Sequence, residues 1–534
     1  MSTSHWGWGL AERFPDREAR RAVAAQVSAL LGATPQEPEE PTSIEQADVP
    51  AARLEAPTTL AVPVSTDREA RLRHTYGRAY PDVVRGFRGD FSLAPDAVAS
   101  PRSEAEVVEA LAWADRVGAR VVPFGGGTSV VGGVTCPRAD TPVVSLDLRG
   151  LDRVLEIDPI SRSARIEAGV LGPRLEAALA TSGLTLRHFP QSFPFSTLGG
   201  WLATRAGGHY ATGYTHIDDL TQAIRATTGD GRVWESARVP ASGAGPAPDR
   251  LLLGSEGTLA VITSAWMRVQ RRPTSRVSTS VHFAEWRAAV DATREIAQAW
   301  LSPTNCRLLD AREAQQNGVS FDDASVLVLA FESVDEPRDA WMERALAICA
   351  RHGGVAPAGV QRRGAAQSGE AGAAVDAGER WRSAFVDAPY LQNVLVSVGV
   401  VADTFETACT WDRFDALHAQ VIADVREAMR RVAGRGRISC RFTHVYPDGP
   451  APYYTFFCPA ARGRELEQWG EIKRAAGDAL AKVGATITHH HAVGRTHRPW
   501  YDRERPAPFA DALRAAKRAL DPRGRLNPGV LFDP

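Results

Sequence analysis

Pro123-Phe-Gly-Gly-Gly-Thr-Ser129 constrains this chain more than any other stretch. Three consecutive glycines carry no Cβ, so the backbone can enter conformations closed to other residues. N–H groups left bare in such a turn converge on an anion, as in phosphate-binding nests. Thr128 and Ser129 add hydroxyl donors. The ligand that suits this loop is a pyrophosphate, and so a nucleotide cofactor. A lone glycine-rich stretch is as often a plain surface turn, so the neighbouring sequence has to decide.

The neighbours build a β-α-β unit. Ala97-Val-Ala reads as a short strand. Apolar residues at Val107, Val108, Leu111 and Ala114 give Ser103–Val117 helical spacing, with Ser103 and Glu106 as a capping box. Arg120-Val-Val then leads into the glycine loop, and Val143–Leu148 reads as the next strand. In the dinucleotide fold the glycine loop opens the helix of its own unit. Here it follows the second strand, and no G-x-G-x-x-G is present, which disfavours NAD. Two further blocks of small residues follow, His188–Gly208 and Leu251–Thr263. Three such blocks in one region suggest a single long ligand touched at several points.

From Thr274 strands and helices alternate. Strands are expected around Ser278–Val281, Arg307, Ser325–Phe331, Arg437–His444, Tyr453–Phe457 and Ala485–His489. Helices are expected over 284–300, 336–352, 464–482 and 508–520. This pattern fits an antiparallel sheet with helices on one face. Gly359–Gly378 reads as a mobile Ala/Gly-rich loop. The expected division is an N-terminal segment 1–92 with a Pro/Glu-rich flexible tether at 33–58, a cofactor domain 93–273, a cap domain 274–490, and a tail 491–534 that returns to the cofactor domain. A chain of 534 residues is expected to hold about two to four domains.

Composition excludes some classes. Lys and Arg number 62 against 63 Asp and Glu, so a nucleic-acid binder is not expected. The six cysteines stand at no metal-ligand spacing and read as reduced thiols. No apolar run approaches the ~20 residues of a membrane span, and the N-terminus lacks a signal-peptide pattern. The expected location is cytoplasmic. Peripheral membrane contact and a homodimer stay open.

The glycine loop, Phe195-Ser-Thr-Leu-Gly-Gly, Ser255-Glu-Gly-Thr and Leu526-Asn-Pro-Gly occur in the order and spacing of a known family. The chain resembles the FAD-binding flavoproteins of the vanillyl-alcohol-oxidase, or PCMH, type. Within them it is similar to the alkyldihydroxyacetonephosphate (alkylglycerone-phosphate) synthase branch, from about residue 76 onward. The sharpest element is Thr488-His-His-His-Ala-Val-Gly-Arg495. The resemblance implies an α+β fold, with a two-subdomain FAD-binding domain and an antiparallel-sheet cap over the flavin ring. It implies flavin contacts at Pro123, Phe124, Gly125, Gly126, Gly127, Thr128 and Ser129. Further contacts fall at Gln191, Ser192, Phe195, Ser196, Thr197, Thr204, Arg205, Ala206 and Gly207, and at Glu256, Gly257, Thr258, Leu259, Ala260, Val261 and Ile262. Many members attach the flavin through His or Cys near the glycine loop. Phe124–Val130 contains neither, so non-covalent FAD is expected.

By the same resemblance the catalytic residues are Tyr453 as base (or Tyr454, one residue along), the histidines His489, His490 and His491, Arg307, and His188. The implied reaction exchanges the acyl group of acyl-dihydroxyacetone phosphate for a long-chain alcohol through a flavin N5 adduct, a step of ether-lipid synthesis. One departure matters. Gln392 stands where the branch holds the substrate phosphate with arginine, so bidentate recognition is lost. This leaves an FAD-dependent dehydrogenase or oxidase of a 2-hydroxy acid such as lactate or glycolate as the alternative. Taken alone, Tyr453 reads as a core aromatic and Arg307 as a surface charge. The triple histidine, read as a strand, would point His489 and His491 to one side and His490 to the other. No metal is expected there.

Overall fold

The computed structural model describes residues 3–320, 322–364 and 388–533. Two sheets flank the glycine loop. The first is four-stranded, in the order Val64–Ser65, Ala97–Ala99, Val143–Asp147, Arg120–Phe124, and its last three strands run parallel. Glu104–Arg116 is the crossover helix, and the Ser103 hydroxyl accepts from the Glu106 N–H at its start. The glycine loop leaves the end of Arg120–Phe124. The second sheet is antiparallel, in the order Val154–Asp158, Ser163–Glu167, Ala260–Arg268, Thr221–Thr228, Val233–Glu235. Ala260–Arg268 carries the Ser255–Thr263 block into its centre.

A third sheet has seven antiparallel strands. Their order is Gln361–Gly364, Ser275–Phe283, Ser325–Ser333, Asn305–Leu309, Arg437–Val445, Pro450–Pro459, Val400–Glu406. Helices Trp286–Gln298, Asp339–Arg351, Trp411–Ala433 and Glu465–Lys482 pack on one face of it through two apolar clusters. This is the expected α+β architecture.

Four expectations change. Residues 33–58 form an extended strap rather than a free tether. Gln36 donates to the carbonyls of Gly399 and Ala460, Thr42 N–H to that of Phe87, and Ala47 is buried. Of the expected loop 359–378, residues Gln361–Gly364 pair as an edge strand with Ser275–Ser278, and 365–378 lie outside the described residues. Val400–Glu406 and the 23-residue helix Trp411–Ala433 are additional elements. Ala485–His489 is not a strand, because the N–H groups of the histidine run bond to a side chain instead. Among the described residues no helix is long and apolar enough to cross a membrane.

The C-terminal residues pack beside the glycine loop. Leu526 bridges to Val121 beside the glycine loop. Lys517, on the helix Ala507–Leu520, is 2% exposed. Its ammonium donates to the Thr258 carbonyl (2.6 Å), the Leu526 carbonyl (2.8 Å) and the Asp521 carboxylate (2.6 Å). Replacing Lys517 by Met would leave the Asp521 carboxylate buried without its counter-charge, with the Leu526 N–H still donating to it. Breaking a buried pair in this way costs about 3–5 kcal/mol, which denaturant unfolding of the variant against wild type would measure.

Candidate active site

The glycine loop lies against the Phe195–Thr197 block. A Cβ on Gly126 would lie 1.7 Å from the Phe195 carbonyl oxygen, so only glycine allows this approach. Among the described residues, the N–H groups of Gly126, Gly127 and Thr128 donate no hydrogen bond. Thr197 caps the helix Leu198–Thr204. Beside these lies a cleft. Pro123, Phe124, Gly125, Ser129, Thr197, Thr204, Glu256, Gly257, Ala260, Val261, Ile262 and Asn527 are among the residues that line it. The glycine loop enters this lining through Gly125 and Ser129, and with an apolar wall along the rest the cleft suits a dinucleotide with a pyrophosphate and a flat ring.

Not all expected contacts present side chains. Leu259 is fully buried in the core of the second sheet, and the Thr258 hydroxyl is spent on the Ser255 carbonyl. Arg205, itself exposed, turns to the buried carboxylate of Asp218. The Ser196 hydroxyl accepts from the Trp201 indole. Gly207 marks where this block meets the cap: a Cβ there would lie 3.0 Å from that of His490.

The cap sheet sets the opposite wall by register. Glu406 pairs with Tyr453, and Tyr453 with Arg441, across three adjacent strands. Directly paired residues share a sheet face, so these three side chains form one row. Leu309 pairs with Arg441, which puts Arg307, two residues earlier, on the same face. Tyr454 points the other way. It is fully buried among helix residues, stacks on Phe405 and meets the His418 ring nitrogen at 3.3 Å. The geometry therefore selects Tyr453 over Tyr454. The register slips between Phe442 and His444, an irregularity of the β-bulge kind that aims His444 at the Tyr453 face.

Tyr453 is buried, and its hydroxyl donates to Thr404 (2.9 Å). The Arg441 guanidinium lies 3.9 Å from its ring centroid and pairs with buried Glu313. Burial pushes the Tyr453 phenol up, while Arg441 and Thr404 oppose it. The cation at this tyrosine is thus Arg441 rather than Arg307. Arg307 is 1% exposed and donates to the His209 carbonyl (2.5 Å); burial and Arg441 bring it down to about 9.

The triple histidine is a bend, so its rings do not alternate. His489 and His490 bring their Nδ1 atoms to 3.0 Å. Tyr453 meets the rings of His490 and His491 at centroid distances of 6.1 and 5.4 Å. His489 Nε2 lies 2.8 Å from the Tyr446 hydroxyl and 3.2 Å from His216 Nε2. Ring nitrogens of His444, His489 and His490 all come within 4.8 Å of one another. His444 Nε2 already lies 3.0 Å from the Gly208 carbonyl. His188 is buried against Trp201, both ring nitrogens lack partners among the described residues, and burial brings it down to about 3. It is a neutral imidazole.

Sequence reasoning missed Glu406, Arg441, His444, Tyr446 and His216. None stands in a local motif, and only sheet register and loop packing bring them in. Gln392 is also placed unexpectedly. Its side-chain oxygen accepts from the Trp8 indole (2.8 Å), while Asn393 bonds the Trp8 backbone in both directions.

Two outcomes follow from this geometry. Gly126→Ala forces an overpacked contact worth about 1–3 kcal/mol, or roughly 5–150-fold in affinity, which titration of the protein with FAD would measure. Glu256 accepts from the N–H groups of Val493 and Gly494, and burial pushes its carboxyl up to about 7. Between its ordinary 4.5 and about 7 the folded chain keeps a proton that the unfolded chain has lost. Its contribution is therefore present below that window and falls away as pH rises through it, by up to about 3 kcal/mol. Asp82 and Asp310, raised to about 6 and 7, titrate in the same direction. The measurement is thus the difference in slope between wild type and Glu256→Gln, with the variant flatter.

Residues 95–237 match the FAD binding domain family, and residues 272–531 match the C-terminal domain of FAD linked oxidases. Alkyldihydroxyacetonephosphate synthase of Trypanosoma brucei brucei is 30% identical, over 88% of this chain and 78% of its own length. The Caenorhabditis elegans enzyme of that name is also 30% identical, over 88% and 82%. A solved alkyldihydroxyacetonephosphate synthase superposes with a TM-score of 0.81 at 24% identity, covering 98% of both chains. The cofactor that these matches indicate for the cleft is FAD. On this evidence, joined to the site's geometry, the chain belongs to the alkyldihydroxyacetonephosphate synthase family of FAD-linked flavoenzymes.

Proposed function

We propose that this chain is an alkyldihydroxyacetonephosphate synthase, working in the cytoplasm with non-covalent FAD. It would exchange the acyl group of acyl-dihydroxyacetone phosphate for a long-chain alcohol, in ether-lipid synthesis. The observation that carries this reading is the placement of Tyr453 beside His490 and His491, with Arg441 against its ring. Bound FAD would supply an electrophilic ring to hold the carbon skeleton during the exchange. Tyr453 would take the proton next to the ketone. The Arg441 cation favours the phenolate that this step requires, against the burial that disfavours it. The histidine run would present ring nitrogens that donate and accept hydrogen bonds beside it, with His489 and His491 held low by burial. Arg307 and Arg441 are the cations on this face that would meet negative charge on the substrate. Cysteines with no disulfide among the described residues suit a reducing compartment.

One observation favours the rival, an FAD-dependent 2-hydroxy-acid dehydrogenase. Residue 392 is an uncharged glutamine already engaged by Trp8, and so brings no cation to a phosphate.

The test is to incubate the purified protein with acyl-dihydroxyacetone phosphate and isotope-labelled hexadecanol, and to look for labelled ether product by mass spectrometry. Product formation without loss of flavin colour under anaerobic 2-hydroxy acids is the expected result. Bleaching by a hydroxy acid with no ether product would establish the rival. Tyr453→Phe should keep FAD and lose at least ~100-fold in kcat, the usual scale for removing a positioned base.

A further inference from the structure

Glu406 ends the edge strand of the cap sheet and is 1% exposed. Its carboxylate accepts from the main-chain N–H groups of His489 (2.7 Å), His490 (3.1 Å) and His491 (3.0 Å), and from the Thr488 hydroxyl (2.5 Å). Its oxygens also lie 3.4 Å from His490 Nδ1 and 3.9 Å from His491 Nδ1. Three successive amides around one anion make a concavity of the nest kind. Here the anion belongs to the protein. The run lies in no helix or sheet, so this one side chain fixes the backbone from which all three rings leave.

The same carboxylate sets the electrostatics of the run. An ionised carboxylate beside an imidazole favours the protonated ring, while burial favours the neutral one. Glu406 stays ionised: burial opposes it, but the three histidines hold it well below the usual carboxylate range. His489 and His491 are held low by burial, with Glu406 as their raising influence. The other titratable groups facing the run are Tyr453, His444 and Tyr446 from the cap sheet and His216 from the cofactor side. His497 and Lys473 act on His491 from behind. Among these, Glu406 is the carboxylate in contact with the run.

Resting on the function proposed above, we propose that Glu406 is a positioning residue of the reaction: it fixes the triple-histidine run beside the cofactor cleft and sets the charge that the run carries. The test uses the FAD-loaded enzyme with acyl-dihydroxyacetone phosphate and hexadecanol. Glu406→Gln keeps the size, removes the charge, and turns an NH₂ toward amides that need an acceptor. We expect kcat to fall at least ~100-fold with KM changed by less than about threefold, the pattern of an interaction that matters in the transition state. We also expect the acid limb of the kcat–pH profile to move to lower pH by about one unit, because His489 and His491 lose the charge that opposes their burial. Glu406→Asp, which keeps the charge, should leave the limb near its wild-type position.

A folded, FAD-loaded Glu406→Gln enzyme with near-wild-type kcat and an unmoved profile would overturn the proposal. Should that variant fail to fold, hydrogen exchange on the wild-type holoenzyme decides: amides 489–491 must be protected although they lie outside helix and sheet, and exchange at coil rates overturns it. If the wild-type chain makes no ether product, the function reading fails by itself. The exchange result still decides whether Glu406 holds the run, and the pH profiles are then compared on whichever substrate reduces the flavin.

Discussion

Residues 488–494 have no ladder of their own, and two buried carboxylates from opposite sides hold them. Glu406 of the cap sheet takes the N–H groups of 489–491, and Glu256 of the cofactor cleft takes those of 493 and 494. The next two N–H groups, of Arg495 and Thr496, bond to the carbonyl of Val131, just beyond the glycine loop. Buried main-chain donors must find acceptors, and here each goes to a different body of the fold. The histidines are therefore placed relative to the glycine loop by hydrogen bonds that run through one short segment. A shift of the cap against the cofactor domain would have to break several of them.

The same wall concentrates charge where burial makes it costly. Arg307, Arg441, Glu313 and Glu406 are all nearly or fully buried on or beside one sheet face. Arg441 is compensated by Glu313, and Glu406 by four donors. Such arrangements contribute little net stability compared with apolar packing. Their value lies in fixed fields that need no reorganisation when charge develops on a substrate. Tyr453 sits between the two systems, with the Arg441 cation against its ring and Thr404 at its hydroxyl.

What the sequence made legible was local. The glycine loop, the capped helix before it and the α+β alternation all follow from spacing, cap residues or motif. What it hid depends on long-range register. Glu406 lies 83 residues from His489, and its role appears only when two strands pair with Tyr453 between them. His444 reaches the site through a slip in register that no local pattern announces. The triple histidine looked like a strand because residues 485–489 alternate plausibly. A carboxylate outcompeted the sheet for their amides. The segment 33–58 has the composition of a tether, yet its few apolar and amide side chains find partners across the molecule. The strand Val400–Glu406 and the helix Trp411–Ala433 carry no motif of their own, so only the sheet order places them.

The substitution at 392 is explained by its partner rather than by the substrate. Gln392 presents an oxygen to the indole N–H of Trp8, and Asn393 completes the clasp by bonding the Trp8 backbone. An arginine at 392 would set donors against that indole, leaving both sides without an acceptor. Residues 8 and 392 therefore form a matched pair that ties the N-terminal segment to the cap, and glutamine is what the match requires. A charged substrate must then find its cations elsewhere. The register of the cap sheet puts Arg307 and Arg441 on the face that carries Tyr453, where burial and the nearby Arg441 cation bring Arg307 down. Mutual repulsion of two buried guanidinium groups is relieved when an anion arrives between or beside them. A site built this way favours the charged form of its ligand without residue 392.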